Sequence, residues 1–133
     1  MADGLNQPGD AVALDVEVIK RFIPHANEAS ITRYLTKFAG LFPVWSQLIH
    51  AAWQAGDWPK VRAEAHRMKS SAQSMGAVAL GAACIEIDEA LKNDRSEAAA
   101  VALTDMPAIL SALATALQSN GIAVGDPVLH WPA

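Results

Sequence analysis

Histidine side chains are the groups in this sequence that could most readily act as nucleophiles or metal ligands near neutral pH. The chain has four of them, His25, His50, His66 and His130. No two lie three or four residues apart and no Glu-x-x-His pair is present, so the sequence predicts no metal site on a single helix face. The one cysteine, Cys84, excludes an internal disulfide and lies on an apolar stripe, where a buried thiol is expected.

His66 differs from the other three in the residues that share its side of a helix. Arg62 lies four residues before it, and Lys69 and Gln73 lie three and seven residues after it. Ser70, four residues after it, is small enough to let a bulky partner approach. A neutral imidazole can attack phosphorus near pH 7, and a nearby cation can offset the charge of phosphoryl oxygens. The spacing by itself also fits an exposed helical histidine without a function.

The elements that would position these residues follow from hydrophobic periodicity. Apolar side chains recur at helical spacing over 28–55, 58–75 and 78–92, and again from about 96 to 117. Asp57 is the expected N-cap of the second of these helices, and Asp94 or Ser96 that of the last. Pro43 is expected to bend the first helix, and Pro107 to kink or divide the last one. The pattern therefore predicts four long helices.

The segment before these helices fits two patterns. Leu14, Val16 and Val18 alternate as they would in a strand, but the same stretch also has helical spacing. Asp15 is a good N-cap, which favours a short helix ending near Phe22. The resulting expectation is an all-α fold: an antiparallel up-and-down four-helix bundle with a short additional N-terminal helix.

The expected boundaries are a flexible leader at 1–11, the bundle at 12–120 and a C-terminal tail at 121–133, which either packs on the bundle or is disordered. A chain of 133 residues with 52% hydrophobic and 18% charged residues can bury a core. The net charge of −4, without a basic block, argues against nucleic acid as a partner. No signal peptide and no apolar run of about 18 residues is present, so a cytoplasmic protein without membrane contact is expected.

The segment around His66 resembles the signature of the histidine-phosphotransfer (HPt) domain family. The run AHRMKSSAQSMGA, residues 65–77, has the family's Ala-His pair, lysine three residues after the histidine, a small residue after four and glycine after ten. Leu80, Cys84 and Ile87 match the spacing on the following helix, and residues 56–58, Gly-Asp-Trp, are similar to the preceding turn. The resemblance covers about residues 14–118. Many members have glycine where this chain has Ser70, and serine is also small.

The resemblance implies a role for each of these residues. His66 would accept a phosphoryl group on Nε2, Lys69 would balance its charge, and Ser70 would leave room for a partner and offer a hydrogen bond. Arg62, Gln73 and Gly76 are the further candidate binding residues, with Gly76 fitting the turn after the histidine helix. The expected docking face combines the helices at 28–55 and 58–75. Leu41, Leu48 and Trp58 are candidate apolar contacts on it.

The resemblance also implies the reaction and its partners. A receiver domain of a hybrid sensor kinase or response regulator would donate the phosphoryl group from a phospho-aspartate, and another receiver would accept it. The receiver would hold the Mg²⁺, so the chain needs no cofactor of its own. No Gly-rich phosphate loop is present, so autokinase activity is not expected. A monomer is expected, and the alternative is a non-catalytic HPt-like bundle that binds a receiver or kinase without carrying phosphate.

Overall fold

The computed structural model describes residues 12–125 and Trp131, and every regular element within them is α-helical. The elements are α1 (Val16–Phe22), α2 (Glu28–Gln54), α3 (Trp58–Ser74), α4 (Val78–Lys92), α5 (Ser96–Thr104) and α6 (Met106–Ser119). Short turns join α2, α3, α4 and the α5–α6 pair, which form the bundle, and α1 is the short additional helix. The all-α bundle predicted from periodicity is confirmed.

Side-chain caps determine where three of the helices begin. The Asp15 carboxylate accepts a hydrogen bond from the backbone N–H of Glu17, so the segment that also fitted a strand is helix α1. Asn27 forms a reciprocal capping box with Ser30 at the start of α2. Asp57 accepts from the backbone N–H of Lys60 and caps α3, as predicted.

The predicted cap of the last helix is wrong. The N-cap of α5 is Arg95, whose side chain makes no capping hydrogen bond. Asp94 instead has a left-handed backbone with φ of 57°, and the Arg95 N–H donates to the Ala90 carbonyl at 2.7 Å. Asp94 therefore belongs to the turn that ends α4, a position where a short polar residue tolerates positive φ.

The two internal prolines have different effects. Helix α2 continues through Pro43, whereas the predicted break at Pro107 divides the last helical segment. Pro107 lies in the first turn of α6, where its missing N–H costs no helical hydrogen bond. Helices α5 and α6 are bent by 41° relative to each other. Within the described residues no single helix is long and apolar enough to cross a membrane, and only this bent pair reaches that length and apolarity together.

The core lies where the apolar faces of the helices meet. Its largest fully buried side chains include Phe42, Ile49, Met68, Leu80, Ile87, Leu103, Leu110 and Leu117. Part of the predicted tail packs on this core, since Ile122 and Trp131 are buried and the Trp131 ring lies 4.7 Å from that of His50. The predicted leader, 1–11, lies outside the described residues.

The turn between α3 and α4 sets the register of the two helices that carry the candidate site. Gly76 has φ of 76° and is buried. Its carbonyl accepts a hydrogen bond of 2.7 Å from the Asp15 N–H, and a Cβ at this position would collide with the Asp15 carbonyl oxygen. Further along, Gly81 lets α4 approach closely, because a Cβ there would lie 3.3 Å from Cγ of Gln73. This close antiparallel packing places the second half of α4 beside His66.

Candidate functional site

The candidate site is centred on a carboxylate of α4, Asp88, that meets three basic side chains of α3. Nδ1 of His66 lies 3.0 Å from Oδ2 of Asp88, and Nε of Arg62 donates to Oδ1 at 3.0 Å. Nζ of Lys69 lies 3.5 Å from Oδ2. Since His66, Arg62 and Lys69 occupy successive turns of one face of α3, a single carboxylate on the neighbouring helix can reach all three.

The basic neighbours keep Asp88 ionised. Burial alone would raise the pKa of its carboxyl group. Hydrogen bonds from His66 and Arg62, together with the charges of His66 and Lys69, outweigh burial, so the pKa is lowered overall. An ionised carboxylate can only accept hydrogen bonds. Nδ1 of His66 must therefore carry the proton of the shared hydrogen bond, and in the neutral ring the lone pair is on Nε2.

His66 presents that lone pair at an open surface. Its side chain is 65% exposed, whereas that of Asp88 is only 9% exposed. A groove of about 390 Å³ lies elsewhere, between α4 and the α5–α6 pair, and none of the residues lining it belongs to the site. A buried anion thus holds one nitrogen of an exposed ring while the other faces solvent. This arrangement suits attack on a group that a large partner brings to the surface.

Lys69 makes the longer contact of the two cations that flank Asp88, at 3.5 Å against 3.0 Å for Arg62. Its side chain is 25% exposed, and its ammonium is beyond usual hydrogen-bond distance from Oδ2. Arg67, next to His66 in the sequence, points to another side of α3, where it forms an ion pair of 3.5 Å with Glu64. The described residues therefore place two cations, Arg62 and Lys69, on the face of His66.

Three of the predicted site residues are not part of this cluster. Ser70 is exposed one turn beyond His66. Gln73 packs against Gly81. Gly76, ten residues from His66, is about 15 Å along the helix and serves the turn. The predicted apolar contacts, Leu41, Leu48 and Trp58, are half-buried, whereas larger exposure is found at Phe22, Val44 and Ile85.

Asp88 was absent from the predicted site, although the sequence contains a signal for it. Asp88 follows Leu80 and Cys84 at intervals of four residues, so it lies on the buried stripe of α4. A buried acidic side chain requires a basic or hydrogen-bonding partner. Spacing along α3 identifies the neighbours of His66 on its own helix, but it gives no information about a carboxylate from the next one.

The remaining candidate groups have other environments. Burial raises the pKa of the Cys84 thiol to about 12, as fits the predicted core thiol. Burial also lowers the pKa of His50. His25 is exposed, and His130 lies outside the described residues. No group of three or more metal-binding side chains occurs in the described part of the chain.

A comparison with protein families identifies one match. The family model described as the Hpt domain matches residues 33–120, about two thirds of the chain, and this stretch contains the whole Asp88 cluster. No curated protein and no solved structure matches the chain.

Proposed function

Because the chain belongs to the Hpt domain family, whose members carry phosphoryl groups on histidine in phosphorelays, we propose that His66 is its phosphoacceptor. A receiver domain would deliver the phosphoryl group from a phospho-aspartate, and another receiver domain would remove it. The observation that carries this proposal is the hydrogen bond from Nδ1 of His66 to Asp88, which leaves Nε2 of an exposed ring free.

In the proposed step the Nε2 lone pair attacks phosphorus in line with the bond to the aspartyl oxygen. The N–P bond forms as the P–O bond breaks, and the donor aspartate leaves as a carboxylate. The ring acquires positive charge and keeps its Nδ1 proton, so no proton has to leave. Asp88 stabilises this charge because its carboxylate is ionised, buried and already in contact. Transfer to the accepting receiver is the reverse process.

Two further residues act on the phosphoryl group in this proposal. Lys69 swings from Asp88 to the phosphoryl oxygens, whose charge exceeds that of a single carboxylate. Ser70 leaves space for the receiver and offers a hydroxyl donor. The receiver supplies Mg²⁺ and the remaining catalytic groups, so this chain acts as a carrier without autokinase activity. The location of His66 on an open surface, away from the groove, supports a protein partner.

Phosphoryl transfer from radiolabelled phospho-receivers tests this proposal. The full chain and a His66→Gln variant are incubated with each receiver of a panel in the presence of Mg²⁺. We expect acid-labile, alkali-stable label on the unmodified chain, as for phosphohistidine, and none on the variant. Glutamine retains a donor for Asp88 and the site is exposed, so the variant should keep its helicity and melting temperature.

Two results would contradict the assignment. Equal labelling of both proteins would place the phosphoryl group on another residue. Absence of label with every receiver, from a folded chain that still binds one of them, would identify a bundle that docks receivers without carrying phosphate.

A further inference from the structure

Arg62 contacts Asp88, although the proposed binding of the phosphoryl group does not require this contact. Its Nε donates to Oδ1 of Asp88 at 3.0 Å, while His66 occupies Oδ2 of the same carboxylate. The Arg62 side chain is 47% exposed, but Asp88 is nearly buried. The guanidinium thus reaches inward from the surface to the oxygen that the histidine leaves unused.

We infer that Arg62 is a positioning residue: it acts through Asp88 to hold His66 with Nδ1 protonated and Nε2 free. This inference rests on the proposed phosphoacceptor role of His66 and goes beyond it. It also assigns the two cations different tasks, since Arg62 orients the carboxylate while Lys69 meets the phosphoryl group.

The geometry of a carboxylate explains how Arg62 could act on His66. The two oxygens of Asp88 are fixed relative to each other, but the group rotates over a broad range about its last side-chain torsion. A hydrogen bond to Oδ1 restricts this rotation and so keeps Oδ2 directed at Nδ1. The planar guanidinium is well suited to such a restraint, because its donors have fixed directions.

Competition for Asp88 gives a second reason. The charged groups that face it are Arg62, His66 and Lys69 of α3, and Cys84 on its own helix stays protonated. With Arg62 in place, the ammonium of Lys69 lies at 3.5 Å, farther than either hydrogen-bonded partner. Without Arg62, Lys69 would be the remaining permanent cation beside a nearly buried carboxylate. It would then pair with Asp88 more tightly and turn the carboxylate away from His66.

The first test reads the state of the His66 ring directly. Long-range ¹H–¹⁵N spectra of the full chain, recorded above about pH 8 where an ordinary histidine is neutral, distinguish the Nδ1–H from the Nε2–H tautomer. We expect Nδ1–H to dominate in the unmodified chain and to lose at least half of its population in Arg62→Gln. Lys60→Gln is the control. It removes a cation two residues before Arg62 that does not contact Asp88, and it should leave the tautomer of His66 unchanged.

The second test follows transfer kinetics. Arg62→Gln should reduce the maximal rate of phosphoryl uptake by about tenfold, as expected when the group that orients a histidine is lost, with KM changed less than twofold. Arg62→Lys should restore part of the rate. In an Asp88→Asn background, Arg62→Gln should have no further effect, because both changes break the same connection.

The outcomes separate this inference from the function on which it rests. The positioning role would be overturned if the tautomer is unchanged in Arg62→Gln, or if only KM rises while the maximal rate stays the same. Arg62 would then be a contact for the receiver or the phosphoryl group. Failure of the unmodified chain to take label on His66 would overturn the proposed function, and the spectra would still show whether Arg62 orients the ring.

Discussion

At the residue scale, Asp88 has two effects on the candidate site that oppose each other. Its hydrogen bond to Nδ1 directs the Nε2 lone pair outward and stabilises positive charge on the ring. Its charge also attracts Lys69, the cation proposed to meet the phosphoryl group. The unequal distances, 3.0 Å to His66 and 3.5 Å to Lys69, indicate that the first contact is the stronger one. Lys69 is therefore the member of the cluster that can change partners at lowest cost.

Lys69→Ala should slow phosphoryl uptake by roughly ten- to a hundredfold without abolishing it, because one charge that stabilises the transferring group is lost while the nucleophile remains. Single-turnover labelling from a phospho-receiver measures the rate. Lys92→Ala, which removes an exposed cation from the last turn of α4, is the control. Transfer at the full rate in Lys69→Ala would remove the lysine from the mechanism.

At the element scale, the close packing of α3 and α4 makes the candidate site possible. Asp88 reaches α3 because Gly81 and the turn at Gly76 bring the two helices together. Gly76 also receives the start of α1, through the hydrogen bond from the Asp15 N–H. One glycine therefore joins three helices at the end of the bundle that is distant from His66.

Substitution of this glycine should be more costly than substitution of a similar one. Gly56 and Gly76 both have positive φ, 70° and 76°, but a Cβ at Gly56 meets no atom within 4 Å, whereas at Gly76 it collides with the Asp15 carbonyl oxygen. Gly56→Ala should lower the free energy of unfolding by about 1 kcal/mol. Gly76→Ala should lower it by about 3 kcal/mol, because the α1 contact is lost as well. Urea unfolding followed by circular dichroism measures the free energy of unfolding of both variants. Equal losses would show that α1 can move away from Gly76 without a loss of stability.

At the scale of the whole molecule, the bundle buries an ionisable ring away from the candidate site. His50 is buried on α2 and lies against Trp53 and Trp131, so it joins the C-terminal residues to the core. Burial lowers its pKa because the charged form would lose its hydration. The fold therefore favours a neutral His50.

Stability should consequently decrease in mild acid. An ordinary histidine in the unfolded chain binds a proton below about pH 6.5, whereas His50 in the folded chain does so only at lower pH. The unfolded state then holds more protons, so the free energy of unfolding should fall as the pH drops from about 7 to about 5. The stability that Asp88 contributes through its lowered pKa is lost only below about pH 4, so the two effects are separable.

Urea unfolding at a series of pH values tests the role of His50. His50→Gln should flatten the dependence between about pH 7 and pH 5. His25→Gln, at an exposed position, serves as the control and should leave the slope in place. An unchanged slope in His50→Gln would assign the pH dependence to another group.

Much of the architecture could be predicted from local patterns. Apolar periodicity identified α2, α3 and α4, Asp15 and Asp57 marked helix starts, and Pro107 marked the division between α5 and α6. The start of α5 was predicted incorrectly because Asp94 suits a turn as well as a cap, and only the closing bonds of α4 distinguish the two. The cluster of Arg62, His66 and Lys69 on one face followed from spacing along a single helix.

Patterns within single helices and turns thus predicted the all-α class, most of the helices and the face of α3 that carries His66. The side chain that meets His66 from outside its helix could be identified only from the packing of the helices. Asp88 lies 22 residues away in the sequence, and no periodicity relates positions on different helices. Their contact depends on the distance between α3 and α4 and on the register of the two helices. Packing at Gly76 and Gly81 determines both. That contact sets the tautomer of the ring, and with it the nitrogen left free for the proposed phosphoryl transfer.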